Sequence, residues 1–304
     1  MKLLFSGCAR DCAADVGANL LALLAIGDNL NCDELQIYIA ENSSKDNTRE
    51  IISQLAEADP RIIPVFFDDL DEQIPVREAR IAFCRDRLLD EIFKSESNGL
   101  YIPIDLDSGI ASSLKAEPFL RACELVASEK CTGVFPSSSP YYYDIHALRE
   151  ADWCPGNCWK DVQGAMSRSA LWNLWILIRY VYSRQKPQSR LQTKGLIPVD
   201  SAFGGAGIYS LSKVEESAAR YSSPVLELED SKLCEHVVFN TFLDQLFIYP
   251  EWVIKAPPEH IEFRLLPIYL KAWRIAGVGF KDLKRLYLGA ARRAISRILH
   301  NEAS

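Results

Sequence analysis

Along the first hundred residues the hydrophobic positions switch between two periods. Short apolar runs at 2–6, 35–40, 61–67 and 100–104 have the length and the β-branched and aromatic content of buried strands. Between them, apolar residues recur three and four apart over 14–25, with Val16, Leu20, Leu23 and Leu24 on one side, and then over 48–58 and 75–93. Strands alternating with helices predict an α/β fold with a largely parallel sheet covered on both faces. Ligands of such sheets bind beyond the carboxyl ends of the strands. Three polar clusters fall at those ends: GCARD, ENSSKDNT and DLDSG.

The second half is less regular. The pattern predicts a strand at 132–135, a long helix at 165–183, and short strands at 197–199 and 207–210 beside a glycine turn. From about 261 it becomes helical and basic. With no internal repeat, low-complexity segment or Pro/Ser linker, the expected organisation is one domain over 1–260 and a helical extension over 261–304.

Composition is that of an ordinary globular chain of 304 residues, 48% hydrophobic and 25% charged. The net charge of −7 is unevenly spread, because residues 261–304 hold nine Lys/Arg against three Asp/Glu. A basic segment on an acidic body suits an anionic surface such as a membrane, and it argues against nucleic acid as the partner of the body. Lys271, Arg274, Lys281, Lys284 and Arg285 alternate with Trp273, Leu283, Leu286 and Leu288. That spacing suits an amphipathic helix lying on anionic lipid. It suits equally a helix packed on the body with a solvated basic face. The first apolar run soon meets Arg10 and Asp11, unlike a signal peptide. The window 171–182, interrupted by Arg179, falls short of the roughly 20 residues a span needs. Nine scattered cysteines, with Cys8/Cys12 and Cys154/Cys158 off zinc-knuckle spacing, read as reduced thiols. The expected location is cytoplasmic, and peripheral on the inner face of the membrane if the basic extension binds there.

The sharpest chemistry lies in Asp105-Leu106-Asp107, which follows the apolar YIPI. Carboxylates at i and i+2 just past a strand can face one divalent cation, and hard oxygen ligands suit Mg²⁺ or Mn²⁺. A plain turn uses the same residues. His236, beside Glu235 in CEH, can supply a third ligand or be a buried histidine next to a surface carboxylate. Glu41, Asn42 and the polar residues after them can cap the next helix, hydrogen-bond a nucleoside, or both. Arg77, Arg80 and Arg85 share one predicted helix; arginine forks suit phosphate, and a solvated basic face is the alternative. Tyr141–Tyr143 with Asp144 can line a sugar pocket or close a packed loop. GGAGIY at 204–209 allows close backbone approach but does not open a helix after the first strand, so a dinucleotide site is unsupported.

Taken in order, GCARDCA, IAENSSKDNT, REARIAFCRDRLL, YIPIDLDSG, YYYDIHALR, GGAGIY and CEHVVFN resemble glycosyltransferases of the A-type fold, in particular the fungal capsular α-1,3-mannosyltransferases and their bacterial relatives. The resemblance runs from about residue 8 to 240. It implies a single A-type domain with a mixed, mostly parallel sheet flanked by helices. It implies Mn²⁺ or Mg²⁺ and a nucleoside-diphosphate sugar, GDP- or UDP-linked. It also implies transfer of a hexose, mannose by preference, to a glycan or lipid-linked glycan, with retention of configuration. Carried over by position, Asp105 and Asp107 match the metal ligands and His236 the later one. Glu41 and Asn42 match the nucleoside loop, Arg80 and Arg85 the donor-side helix, and Asp144 and Glu235 positions near the transferred sugar or acceptor. Two departures bear on donor identity: RDR at 85–87 stands where relatives often have Arg-Asn, and His146 where they often have Trp. The rival classes are a non-catalytic carbohydrate-binding protein on the same fold and a sugar nucleotidyltransferase. The latter usually opens on a glycine-rich loop, and GCARDC has a single glycine.

Overall fold

A computed structural model describes all residues except 31, 108, 167–169, 186–190, 192–194, 228–232 and 258–304. The expected basic extension therefore lies outside the described residues.

Eight strands form one sheet: β1 (Lys2–Ala9), β2 (Glu34–Asn42), β3 (Ile62–Phe67), β4 (Leu100–Pro103), β5 (Gly133–Ser139), β6 (Ile197–Pro198), β7 (Ile208–Ser210) and β8 (Leu246–Lys255), in the order β3-β2-β1-β4-β7-β5-β8-β6. β1 pairs parallel with β2 and β4, β2 with β3, and β5 with β8. β7 runs antiparallel between β4 and β5, and β6 antiparallel along β8. The sheet is thus mixed and mostly parallel, as the alternating pattern predicts. From β1 the chain first builds outward through β2 and β3, then returns to place β4 on the other side of β1. The strand order reverses there, and in such sheets ligands bind beyond the carboxyl ends of the strands at that point, here β1 and β4.

Because successive side chains of a strand point to opposite faces, β1 feeds two cores. Leu3 and Phe5 join one core with α1 (Val16–Asn29), α2 (Thr48–Ala58) and, later in the chain, α5 (Ala116–Ala127). Leu4 joins the other with α4 (Arg77–Ser95), which follows the one-turn α3 (Leu70–Gln73). All three side chains are fully buried, each worth about 1.5–3 kcal/mol relative to exposure, so a one-residue slip of β1 would forfeit both cores.

The second half departs from the sequence expectation. Of the helix expected over 165–183, Ala165 instead closes an earlier helix, 167–169 lie outside the described residues, and the chain is helical from Ala170 to Gln185. α6 (Cys158–Ala165) is capped by the Asn157 side chain, which accepts from the Trp159 and Lys160 amides. α7 (Ala170–Leu177) then runs through a π-turn, Ile178–Tyr182, into α8 (Ser183–Gln185). Two short helices, α9 (Leu211–Ser217) and α10 (Glu235–Asn240), follow. β8, the longest strand, was not anticipated at all. Its alternation is plain: Leu246, Ile248, Trp252 and Ile254 are buried, and Glu251, Val253 and Lys255 face solvent.

Candidate functional site

The DLD segment follows β4 at the carboxyl end of the sheet, and three contacts clamp it in place. Ile104 donates its amide to the Ser6 carbonyl, Asp105 donates to the Gly205 carbonyl, and the buried Asn19 of α1 donates its side-chain amide to the Leu106 carbonyl. Leu106 packs directly over Gly7, where a Cβ would come within 2.5 Å of the leucine. Gly205 is equally constrained: its φ is +88°, and a Cβ there would meet Ile110 and the Tyr143 hydroxyl. With Leu106 turned into the core, Asp105 is half-buried and Asp107 exposed, so the two carboxylates flank an anchored leucine.

Arg85 reaches this segment from α4. Its buried guanidinium lies between two carboxylates, with Nη2 3.2 Å from Asp105 Oδ1 and Nε 3.2 Å from Glu235 Oε1. The Phe203 and Tyr221 rings flank it at 5.2 and 5.8 Å. Its remaining nitrogen, Nη1, is buried without a hydrogen-bond partner. Next to Glu235, which opens α10, the His236 ring stacks on Phe203 with centroids 3.5 Å apart, and its Nε2 is 3.6 Å from Glu235 Oε1. The imidazole is buried and neither nitrogen has a hydrogen-bond partner.

The electrostatics follow from this crowding. Burial, then the carboxylates of Asp107, Asp144 and Glu235, push the Asp105 carboxyl well above its ordinary value, against the opposing pull of Arg85. A third of the Asp105 side chain still meets solvent, so like charge as well as burial sets the direction. Burial pushes Glu235 up too, but the neighbouring His236 and Arg85, with its own backbone amide at the start of α10, outweigh it and hold the carboxyl below its ordinary value. Burial and the same guanidinium hold His236 well below the usual imidazole range, so it is neutral at pH 7. With His236 neutral, Arg85 is the charge that keeps Glu235 ionised. Carboxylates and a neutral imidazole are donor types that divalent cations take. Among the described residues, however, no three His, Cys, Asp or Glu side chains are placed together so as to hold a metal ion. Asp105 is paired with Arg85 instead, and His236 lies against Glu235.

Other expected site residues have internal partners. Glu41 is fully buried, with Oε1 accepting from the Ser44 amide 2.7 Å away and Oε2 paired with Arg49. It sets the shape of its loop and presents no free oxygen to a nucleoside. Asn42 differs: its buried Oδ1 has no partner. Arg80 spends Nη1 on the Ile74 and Pro75 carbonyls, 2.9 and 2.8 Å away, and so braces the entry to α4. Asp144 accepts from the Gly204 amide at 2.8 Å and the Ala147 amide at 3.2 Å, which fixes the glycine turn that in turn holds Asp105. Each of its oxygens thus already has one backbone partner.

Sequence reasoning missed Asp86, Asn19 and Phe203. Asp86, noted there only as a departure, accepts from the Tyr221 and Ser222 amides at 2.7 and 3.0 Å and so places Tyr221 against Arg85 and His236. Asn19 was legible as a lone amide in the apolar stripe of α1. Phe203 gave no signal beyond its place before GGAG. All nine cysteines are free thiols, as expected. No helix of the described residues is long and apolar enough to cross a membrane.

No family model and no curated protein matches the chain. Among solved structures it is similar to the mannosyltransferase PcManGT from Pyrobaculum calidifontis in complex with GDP-Man and Mn²⁺. The identity is 10%, over 95% of this chain and 69% of that one, with a TM-score of 0.47. It is similar also to mannosyl-3-phosphoglycerate synthase from Rubrobacter xylanophilus, at 12% identity over 99% of this chain and 75% of that one, TM-score 0.38. A third is glucosyl-3-phosphoglycerate synthase from Mycobacterium tuberculosis in complex with phosphoglyceric acid, at 12% identity over 84% and 71%, TM-score 0.38. Likenesses this distant carry no argument about activity, which rests on the residues of this chain.

Proposed function

We propose that the chain is a metal-dependent glycosyltransferase that moves a hexose from a nucleoside-diphosphate sugar to a hydroxyl of a glycan or lipid-linked glycan. The observation that carries this reading is the cluster at the carboxyl end of β4. A buried guanidinium with a spare donor joins Asp105 to Glu235, Asp107 lies exposed beside them, and a neutral imidazole has both nitrogens unpartnered. The ordered motifs from GCARDCA to CEHVVFN support the reaction class, a GDP- or UDP-linked donor, and mannose as the hexose.

Asp105, Asp107 and His236 would hold Mn²⁺ or Mg²⁺, which when bound neutralises the diphosphate. Arg85 stabilises negative charge on the departing nucleotide through Nη1, the donor the fold leaves free. Glu235, ionised at neutral pH, orients the acceptor hydroxyl and faces the positive charge that builds on the sugar as the glycosidic bond to phosphate breaks. If configuration is retained, the leaving phosphate accepts the acceptor's proton; if it inverts, Glu235 is the base. Asn42 offers an unpartnered acceptor to the nucleoside, in a loop held by Glu41. Asp144 keeps the Gly204–Gly205 turn against Asp105, and Arg80 braces the donor-side helix.

Slow metal-dependent hydrolysis of GDP- and UDP-hexoses without acceptor tests the reading. The wild type should hydrolyse one of them, and Asp107→Asn should lower that rate by about 10²–10³ with an unchanged melting temperature. Equal turnover by the two proteins would reject the assignment. Donor binding without any hydrolysis would favour a carbohydrate-binding module.

A further inference from the structure

One surface is left unexplained by the site. α7 and the π-turn after it bury Ile176, Leu177 and Val181, yet Trp172 and Trp175 on the other side stand 47% and 46% exposed. With Arg179, also exposed, they are spaced three and four apart, so they form one outer stripe. The two indoles stack at 5.0 Å and 28°, and the Arg179 guanidinium lies 5.5 Å over the Trp175 ring and 5.5 Å over that of Tyr180. A π-turn within a helix often marks a functional segment.

Charge indicates what the stripe meets. Between Asp161 and Asp200 the sequence holds six basic residues and no Asp or Glu, although the whole protein carries −7; of the six, Arg179 and Arg184 lie among the described residues, and Arg168, Lys186, Arg190 and Lys194 lie outside them. Arg184 is paired with Asp161 at 3.2 Å, while no carboxylate among the described residues pairs with Arg179. Geometry then separates two classes of anionic partner. A sugar stacks on a free ring face, but Trp175 has Trp172 one turn before it and Arg179 one turn after it, which leaves mainly its edge outward, while Trp172 gives its N–H to the Ala165 carbonyl at 2.9 Å. An indole edge entering the headgroup region, beside a guanidinium reaching phosphate, is what a bilayer interface accepts.

We propose that the outer face of α7, formed by Trp172, Trp175 and Arg179, is a docking surface for an anionic phospholipid bilayer. It lies on elements other than those that carry the Asp105–Arg85–Glu235 cluster, and it does not depend on the glycosyltransferase reading.

The test is co-sedimentation of the full chain with phosphatidylcholine vesicles, with and without phosphatidylglycerol, together with tryptophan quenching by nitroxide-labelled lipid. Wild-type protein should bind the anionic vesicles and be quenched. The double variant Trp172→Ser/Trp175→Ser should bind about tenfold more weakly and lose the quenching. Arg179→Gln, which leaves both indoles in place, should weaken binding to anionic vesicles without affecting neutral ones, and it keeps the test decisive if the double variant melts early. Unchanged binding by both variants would assign the contact to another segment and overturn the proposal. So would absence of wild-type binding, or binding of a soluble acidic polysaccharide in preference to the vesicles.

Discussion

Two polar regions sit at the carboxyl ends of neighbouring strands, and they treat their aspartates in opposite ways. Where the loops after β1 and β2 meet, Asp46 accepts from the Thr48 hydroxyl and amide and from the Ala13 amide, while Asp11 accepts from the Lys45 amide. The Thr48 hydroxyl, followed by the Ala13 amide, holds the Asp46 carboxyl below its ordinary value. Around Arg85 the balance reverses. Burial and neighbouring carboxylates drive Asp105 up, and buried nitrogens of Arg85 and His236 have no partner. A network whose polar atoms are satisfied internally stabilises a loop. One that keeps orphaned donors and crowded like charges is held in place by the surrounding packing and awaits a ligand.

The largest break in this contrast should come from Arg85→Met. It leaves Asp105 and Glu235 without their shared cation, so we expect a loss of about 3–5 kcal/mol in denaturant unfolding and no measurable transfer. Added Mn²⁺ should recover part of the stability, because a cation would again separate the carboxylates.

Glu41→Gln should have the next largest effect, and on a different observable. It removes the charge paired with Arg49 and should cost about 1–3 kcal/mol, with the metal-dependent turnover of the folded fraction little changed. A loss of turnover at full stability would instead put Glu41 in contact with the donor.

The smallest effect concerns pH. Because the folded-state value of Asp105 is raised, its contribution to stability is present at low pH and is lost as pH rises through that value. Metal-free wild type should therefore lose stability relative to Asp105→Asn from about pH 4 upward, by a few degrees in melting temperature, and Mn²⁺ should reverse the order. Parallel melting curves across that range would show that Asp105 is not crowded.

The N-terminal half was legible because each β1-to-β4 strand is a short apolar run and each intervening helix an amphipathic repeat, both local signals. β8 alternates throughout, with Pro250 buried and Glu251 exposed in phase, but it gains its place by pairing with the distant β5. The 165–183 region read as one helix because its apolar content is continuous; Ala165 instead closes α6. At the site, the residue types and their order along the chain were legible, so Asp105, Arg85, Glu235 and His236 could be nominated. Their division of labour was not, because it depends on which oxygens are already occupied. Glu41, Arg80 and Asp144 look like ligands in sequence and turn out to hold backbone or a partner side chain. Asp86 looked like a substitution and turns out to place Tyr221.

The most direct test of the central claim is a calorimetric titration of Mn²⁺ into the full-length protein, with and without GDP or UDP, for wild type and Asp107→Asn. A site built around Asp105, Asp107 and His236 predicts saturable binding of one Mn²⁺ that one of the nucleotides tightens, and its loss in the variant while the fold is retained. Identical Mn²⁺ isotherms for the two proteins would contradict it.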